Sequence, residues 1–142
     1  MCLSKIDQVP YGDSDIGYKV LRYRKICNKD RKRLTFPYQY CGEMLQIGMT
    51  LTDLKTHTLI THATNKKNQR YPTGYHIFTT LEAARAYSIS PTIQGSAIVQ
   101  VRYSDKVASG YTATFDKEGR RVYLPTVVAR QMTLIKIIEE RG

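Results

Sequence analysis

The stretch Gly74-Tyr75-His76-Ile77-Phe78-Thr79-Thr80-Leu81-Glu82-Ala83-Ala84-Arg85-Ala86-Tyr87-Ser88 carries the strongest local signal in the chain. Residues 74–78 are aromatic and β-branched and read as a short strand. Thr79 and Glu82 match a capping box. The threonine hydroxyl would take a backbone N–H near Glu82, and the carboxylate would reach back to the cap amide. A helix is therefore predicted over about residues 80–88, with Leu81, Ala84 and Tyr87 or Ser88 facing inward. Pro91 and Gly95 end it before the next strand.

Outward from this point the chain has β character. Ser96–Tyr103 reads as a strand with a nearly continuous apolar run at Ile98 and Val99. Tyr111–Phe115 and Arg120–Leu124 flank Asp116-Lys117-Glu118-Gly119 and predict a β-hairpin. Thr126–Ile138 is rich in β-branched residues and predicts a final strand or a bent pair. On the N-terminal side, Gly17–Ile26 reads as a strand. Its apolar phase shifts from Tyr18 and Val20 to Leu21 and Tyr23, which suggests a bulge or a strand wet on both faces. Gln46–Leu51 and Thr56–Thr61 are further candidate strands, with Gly48 marking a bulge or close approach. An irregular aromatic segment runs from Phe36 to Gly42, and Asn65–Thr73, without apolar periodicity, reads as an exposed loop. The expected fold class is α+β: a single domain over residues 1–142, mainly an antiparallel twisted sheet with one short helix packed on it. Residues 1–15 are an extended N-terminal arm in this reading.

Composition is compatible with such a core. The chain has 142 residues, 42% of them apolar and 10% aromatic, which excludes a disordered polar chain. No apolar run reaches the roughly 18 residues of a membrane-spanning helix. Residues 1–8 contain no apolar stretch that could form a signal-peptide core, so secretion by that route is not expected. Cys2, Cys27 and Cys41 form no Cys-x-x-Cys motif and cannot all pair within one chain. A reducing cytosol, or a particle assembled there, is the expected compartment.

The charge is uneven. Twenty-two Lys and Arg stand against 12 Asp and Glu, a net +10. Lys19, Arg22, Arg24, Lys25, Lys29, Arg31, Lys32 and Arg33 crowd one segment, with Asp30 the only acid among them. Smaller basic groups lie at Lys66, Lys67 and Arg70, and at Lys117, Arg120 and Arg121. Such a stripe attracts phosphate backbones or acidic protein surfaces. The candidate binding residues are Arg22, Arg24, Lys25, Arg31, Lys32 and Arg33, with Tyr23 and Tyr38 as stacking or anchor residues. The plainer alternative is a Lys/Arg-rich turn that keeps a sheet edge soluble.

Catalytic patterns are missing from the sequence. His57 and His62, five apart, would point to opposite faces of a strand, and no carboxylate lies close enough in sequence to complete a metal cage. None of the cysteines sits beside a base in a thiol-enzyme context, and neither phosphate-cradling glycine motif occurs. His76, beside Phe78, is expected to be a packed residue donating a hydrogen bond. No catalytic residue, metal site or cofactor is expected.

The Tyr-Lys-Val-Leu strand at 18–21, Gly74-Tyr75-His76-Ile77-Phe78 running into Leu81-Glu82-Ala83-Ala84, and Ile98-Val99-Gln100-Val101 occur in an informative order. Together they resemble small proteins of bacteriophages and prophages whose central motif is Gly-Phe-His-x-Phe. The opening Met1-Cys2-Leu3-Ser4-Lys5 is similar to chains from phages of gut Bacteroidetes. That resemblance implies an origin, with the virion or the host cytoplasm as location. A second, looser similarity in element order is to ADP-ribosyltransferase-like domains, which hold NAD and use a late Glu. Arg22 or Arg24 matches the first-strand position, Thr50 and Thr52 stand where a Ser-Thr-Ser run would be, and the late acids are Glu118, Glu139 and Glu140, the last two at a frayed C-terminus. The leading expectation is a non-enzymatic virion-associated part, such as an auxiliary or decorating capsid protein, docking on an acidic protein surface in a repeated or oligomeric assembly, without membrane contact. The alternatives are an early accessory protein that blocks host defence by binding nucleic acid or a host nucleic-acid enzyme, and an NAD-binding transferase.

Overall fold

The structure, a computed structural model, describes residues 3, 5–6, 15–25, 32–35, 45–52, 59–64, 67–72, 74–89 and 95–141. In chain order the elements are β1 (Lys5–Ile6), β2 (Ile16–Lys25), β3 (Lys32–Thr35), β4 (Thr50–Thr52), β5 (Leu59–Thr64), β6 (Lys67–Pro72), β7 (Tyr75–Phe78), α1 (Leu81–Ser88), β8 (Ser96–Phe115) and β9 (Arg121–Arg141). Seven strands form one antiparallel sheet, and β5 pairs with β6 separately. The fold is α+β: the described residues are mostly antiparallel strand with a single short helix. Among the described residues no helix is long and apolar enough to cross a membrane.

The framework is the β8–β9 hairpin, whose strands run 20 and 21 residues. A hairpin this long is not flat. Its register shifts at Ile98/Val99, Gln100/Val101 and Lys106/Ala108, and Asp105 adopts a left-handed φ of 58° that non-glycine residues rarely take. Extra residues on one strand bend it and increase its twist. β2 pairs with β8 on one half of the bent hairpin, Ile16 opposite Arg102 through Arg22 opposite Ser96. β7 pairs with β9 on the other half, Tyr75 opposite Ala129 through Phe78 opposite Thr126. β2 and β7 then meet at one ladder position, Tyr18 opposite Phe78, so the sheet curls into a closed circuit.

Gly17 is what permits that closure. A Cβ there would lie 2.4 Å from Ile77 Cγ2 and 2.9 Å from the Phe78 carbonyl oxygen, so only a glycine lets β7 approach this closely.

Strand alternation divides the core. The interior of the circuit holds Leu21, Ile77, Ala97, Val99, Val101, Tyr103, Val127, Ala129, Met132 and Leu134. The opposite face of β2, β7 and β8 offers Val20, Phe78 and Ile98 to Ala83, Ala84 and Tyr87 of α1, with Leu124 at the margin. Phe78 and Tyr87 rings pack with centroids 5.2 Å apart. The phase change in β2 is thereby explained. It is neither a bulge nor a strand wet on both faces, because Val20 packs under α1 and Leu21 packs in the interior.

Several sequence expectations shift. The helix cap is Thr80 rather than Thr79. Thr80 Oγ1 accepts the Ala83 N–H at 3.1 Å, while the Thr79 N–H donates to the Pro125 carbonyl, tying Thr79 to β9 instead. Glu82 still lies in the first turn, where the helix dipole favours a carboxylate. The strand expected at 46–51 is shorter and later, Thr50–Thr52, because a turn with Gly48 at φ 92° precedes it. The expected loop at 65–73 contains β6, paired with β5 from Thr64 opposite Lys67 to Leu59 opposite Pro72. β6 reads KNQRYP, which offers no apolar alternation to the eye, and its Tyr71 is buried. The strand expected at 96–103 runs on to Phe115, and the C-terminus is strand to Arg141 rather than frayed. The segment 36–42 and Cys2, Cys27, Cys41 and His57 lie outside the described residues.

Candidate functional site

The described part of the basic stripe beyond Lys19 lies where β2 pairs with β3. Its register sets Arg22 opposite Thr35, Tyr23 opposite Leu34, Arg24 opposite Arg33 and Lys25 opposite Lys32. The base is anchored: Leu34 is buried in the interior cluster, and its carbonyl accepts the Leu45 N–H at 3.0 Å. Arg22 is half-buried and also faces Ser96 of β8, which is the last β2–β8 pair. Among the described residues Tyr23–Lys25 pair with β3 alone, so this basic end stands beyond the start of β8. Ser96 in turn is opposite Arg141 of β9, which adds a further cationic residue to the same end of the sheet. Of the sequence candidates, Arg22, Tyr23, Arg24, Lys25, Lys32 and Arg33 come together on this hairpin, whereas Arg31 and Tyr38 lie outside the described residues.

Two directly opposed like-charge pairs are an unusual choice for a hairpin. Like charges facing each other across a strand pair destabilise it, by an amount comparable to the roughly 0.2–1 kcal/mol that opposite charges contribute. An edge kept soluble needs only scattered lysines. Opposed pairs concentrate positive potential at one place, which an anionic partner neutralises.

Lys19 does not belong to this surface, although the sequence places it at the start of the stripe. It shares the interior face with Gly17 and Leu21 and is only 7% exposed. Its Nζ donates to the His76 carbonyl oxygen at 2.6 Å. Burial pushes the Lys19 ammonium down to about 7. The bond lies at the β2–β7 junction, where the ladder consists of the Tyr18–Phe78 pair. On the other face the His76 ring is buried, with Nε2 2.9 Å from Tyr71 Oη. Tyr71 Oη also accepts the Leu3 N–H at 2.9 Å. His76 thus bonds two segments, β2 through its carbonyl and β6 through its ring, and Tyr71 of β6 in turn holds the Leu3 N–H. Sequence reasoning missed Lys19; the available sign was its two-residue spacing from Leu21 and Gly17 in a strand with apolar residues on both faces.

The described residues weighed for catalysis from the sequence lie as follows. Among the described residues no group of three or more His, Cys, Asp or Glu could hold a metal ion. His62 lies on β5 opposite Gln69, and His76 on β7. Glu118 sits in the β8–β9 turn and contacts Arg120. Glu139 is on β9, where it accepts from Arg85 Nε of α1 at 2.7 Å. Glu140 is opposite Ala97 on β8. Thr50 is taken up by a 2.9 Å hydroxyl bond with Thr133. Comparison with protein-family models, with curated proteins and with solved structures finds no match to this chain.

Proposed function

We propose that this chain is a non-enzymatic, phage-encoded binding protein, a virion-associated part that docks on an acidic protein surface through the β2–β3 hairpin. The observation that carries the docking role is the register that sets Arg24 opposite Arg33 and Lys25 opposite Lys32 on a hairpin anchored at its base. A rigid base with a repulsive, cationic end favours a partner whose carboxylates relieve the repulsion on contact. Charge complementarity of this kind sets orientation and on-rate more than affinity. The phage setting rests on the resemblance of the 74–78 motif and its flanking elements.

Quantitative mass spectrometry of purified particles of the encoding phage tests the virion role. Tens to hundreds of copies per particle are expected of a decorating or auxiliary part. Absence from the particle would overturn that role and direct attention to host partners of an early accessory protein.

A further inference from the structure

We infer that the distal end of the β8–β9 hairpin is a second interaction surface, a stacking platform for single-stranded nucleic acid built on Phe115, Tyr123 and Arg121. It goes beyond the docking role of the β2–β3 hairpin and does not depend on it. Phe115 and Tyr123 are 59% and 51% exposed, whereas the apolar residues of the other hairpin face at this end, Val122 and Leu124, pack toward α1. The register explains the division. Phe115 is opposite Arg121 and Ala113 is opposite Tyr123, so the aromatic residues are diagonal neighbours on one face, with Tyr111 and Pro125 opposite each other behind them. Diagonal positions on a strand pair stand roughly 7–8 Å apart, close enough to serve successive unstacked bases of one strand. The guanidinium of Arg121 lies over the Tyr123 ring, 5.7 Å from its centroid. That places a cation at the platform and orients the ring.

Charge favours this occupant. The turn carries Lys117, Arg120 and Arg121 against Asp116 and Glu118. Both acids are engaged by Arg120: Asp116 accepts its backbone N–H at 2.8 Å and its Nε at 3.0 Å, and Glu118 lies 3.4 Å from its Nη2. Lys117 and Arg121 are left exposed to meet phosphates, on a chain whose net charge is +10. Every base has a π-face, so such a platform tolerates any sequence. The expected ligand is therefore an unpaired strand with little base preference. A duplex, whose bases are stacked on one another, should bind less tightly.

The test is a fluorescence-polarisation titration of the full chain with a labelled oligodeoxythymidylate of about twelve nucleotides, and with a duplex of equal length. Phe115→Ala and Tyr123→Ala are each expected to weaken single-strand binding at least about fivefold, at unchanged thermal stability because both side chains are exposed. A Phe115→Trp variant supplies the chain's sole tryptophan, since the sequence has none, and its emission should be quenched when the strand binds. Three results would overturn the proposal. The first is no oligonucleotide binding at low salt. The second is binding that the alanine variants leave intact but Arg24→Glu abolishes, which assigns it to the β2–β3 hairpin. The third is concentration-dependent dimerisation lost in Phe115→Ala, which makes a second copy the occupant.

Discussion

Lys19 Nζ and the carbonyl oxygen of His76 form a 2.6 Å hydrogen bond inside the closed sheet, at the junction where β2 meets β7. A lysine side chain thus supplements a strand ladder at its weakest point. The cost is desolvation of an amine, and the gain is a hydrogen bond to a buried backbone oxygen.

This bond predicts a pH dependence with a definite sign. The unfolded chain keeps Lys19 protonated up to its ordinary 10.5, whereas the folded chain releases that proton near 7. Between these values the unfolded state binds more protons, so stability from this group rises with pH and is flat below the folded value. Denaturant titrations at several pH values between 7 and 9 should show a slope approaching about 1.4 kcal/mol per pH unit in the wild type, relative to Lys19→Met. Equal slopes in the two proteins would contradict a buried amine.

The junction itself predicts sensitivity at Gly17. Gly17→Ala forces a methyl toward Ile77 Cγ2 and the Phe78 carbonyl, so β2 and β7 must separate. The expected loss is about 1–3 kcal/mol, the usual cost of overpacking, read as a lowered midpoint in thermal or denaturant unfolding.

Tyr71→Phe removes one oxygen and leaves two buried groups, the Leu3 N–H and His76 Nε2, without their shared partner. A destabilisation of about 1–3 kcal/mol is expected. Hydrogen exchange offers a more local readout: the Leu3 amide should lose protection while amides in the middle of β8 keep theirs.

At the basic hairpin, stability and binding should move in opposite directions. Arg24→Glu places a carboxylate opposite Arg33 and turns a repulsive pair into an attractive one. Stability should rise by roughly 0.2–1 kcal/mol. Association with poly-L-glutamate, used as an acidic polypeptide probe, should weaken and lose part of its salt dependence. A variant that is both more stable and equally competent in binding would show that the opposed cations serve neither purpose.

The sequence made the α+β class, the strand-to-helix segment, the terminal hairpin and the basic stripe legible, because each leaves a local pattern. β-Forming residues interleaved with charged ones mark Gly17–Ile26, a capping residue precedes Leu81, and turn residues separate Phe115 from Arg121. The exact cap was displaced by a long-range bond, Thr79 N–H to the Pro125 carbonyl, which no local pattern encodes. β6 is hidden because its residues, KNQRYP, show no apolar alternation. Lys19 looked like part of the stripe because charge is visible in a sequence and burial is not. Its place inside depends on the bend at Asp105 and the closure between Tyr18 and Phe78. The sequence likewise shows Phe115 and Tyr123 only as hairpin strand, since which face stays uncovered is decided by where α1 packs.

The most direct test of the docking account is zero-length carbodiimide cross-linking of intact particles, followed by peptide mapping. This reagent joins lysine amines to carboxylates only where they touch. The account predicts links from Lys25 or Lys32 to Asp or Glu residues of another structural protein, lost when the particles are first washed at high salt. Links confined to other lysines of this chain, with Lys25 and Lys32 unmodified by any partner, would contradict it.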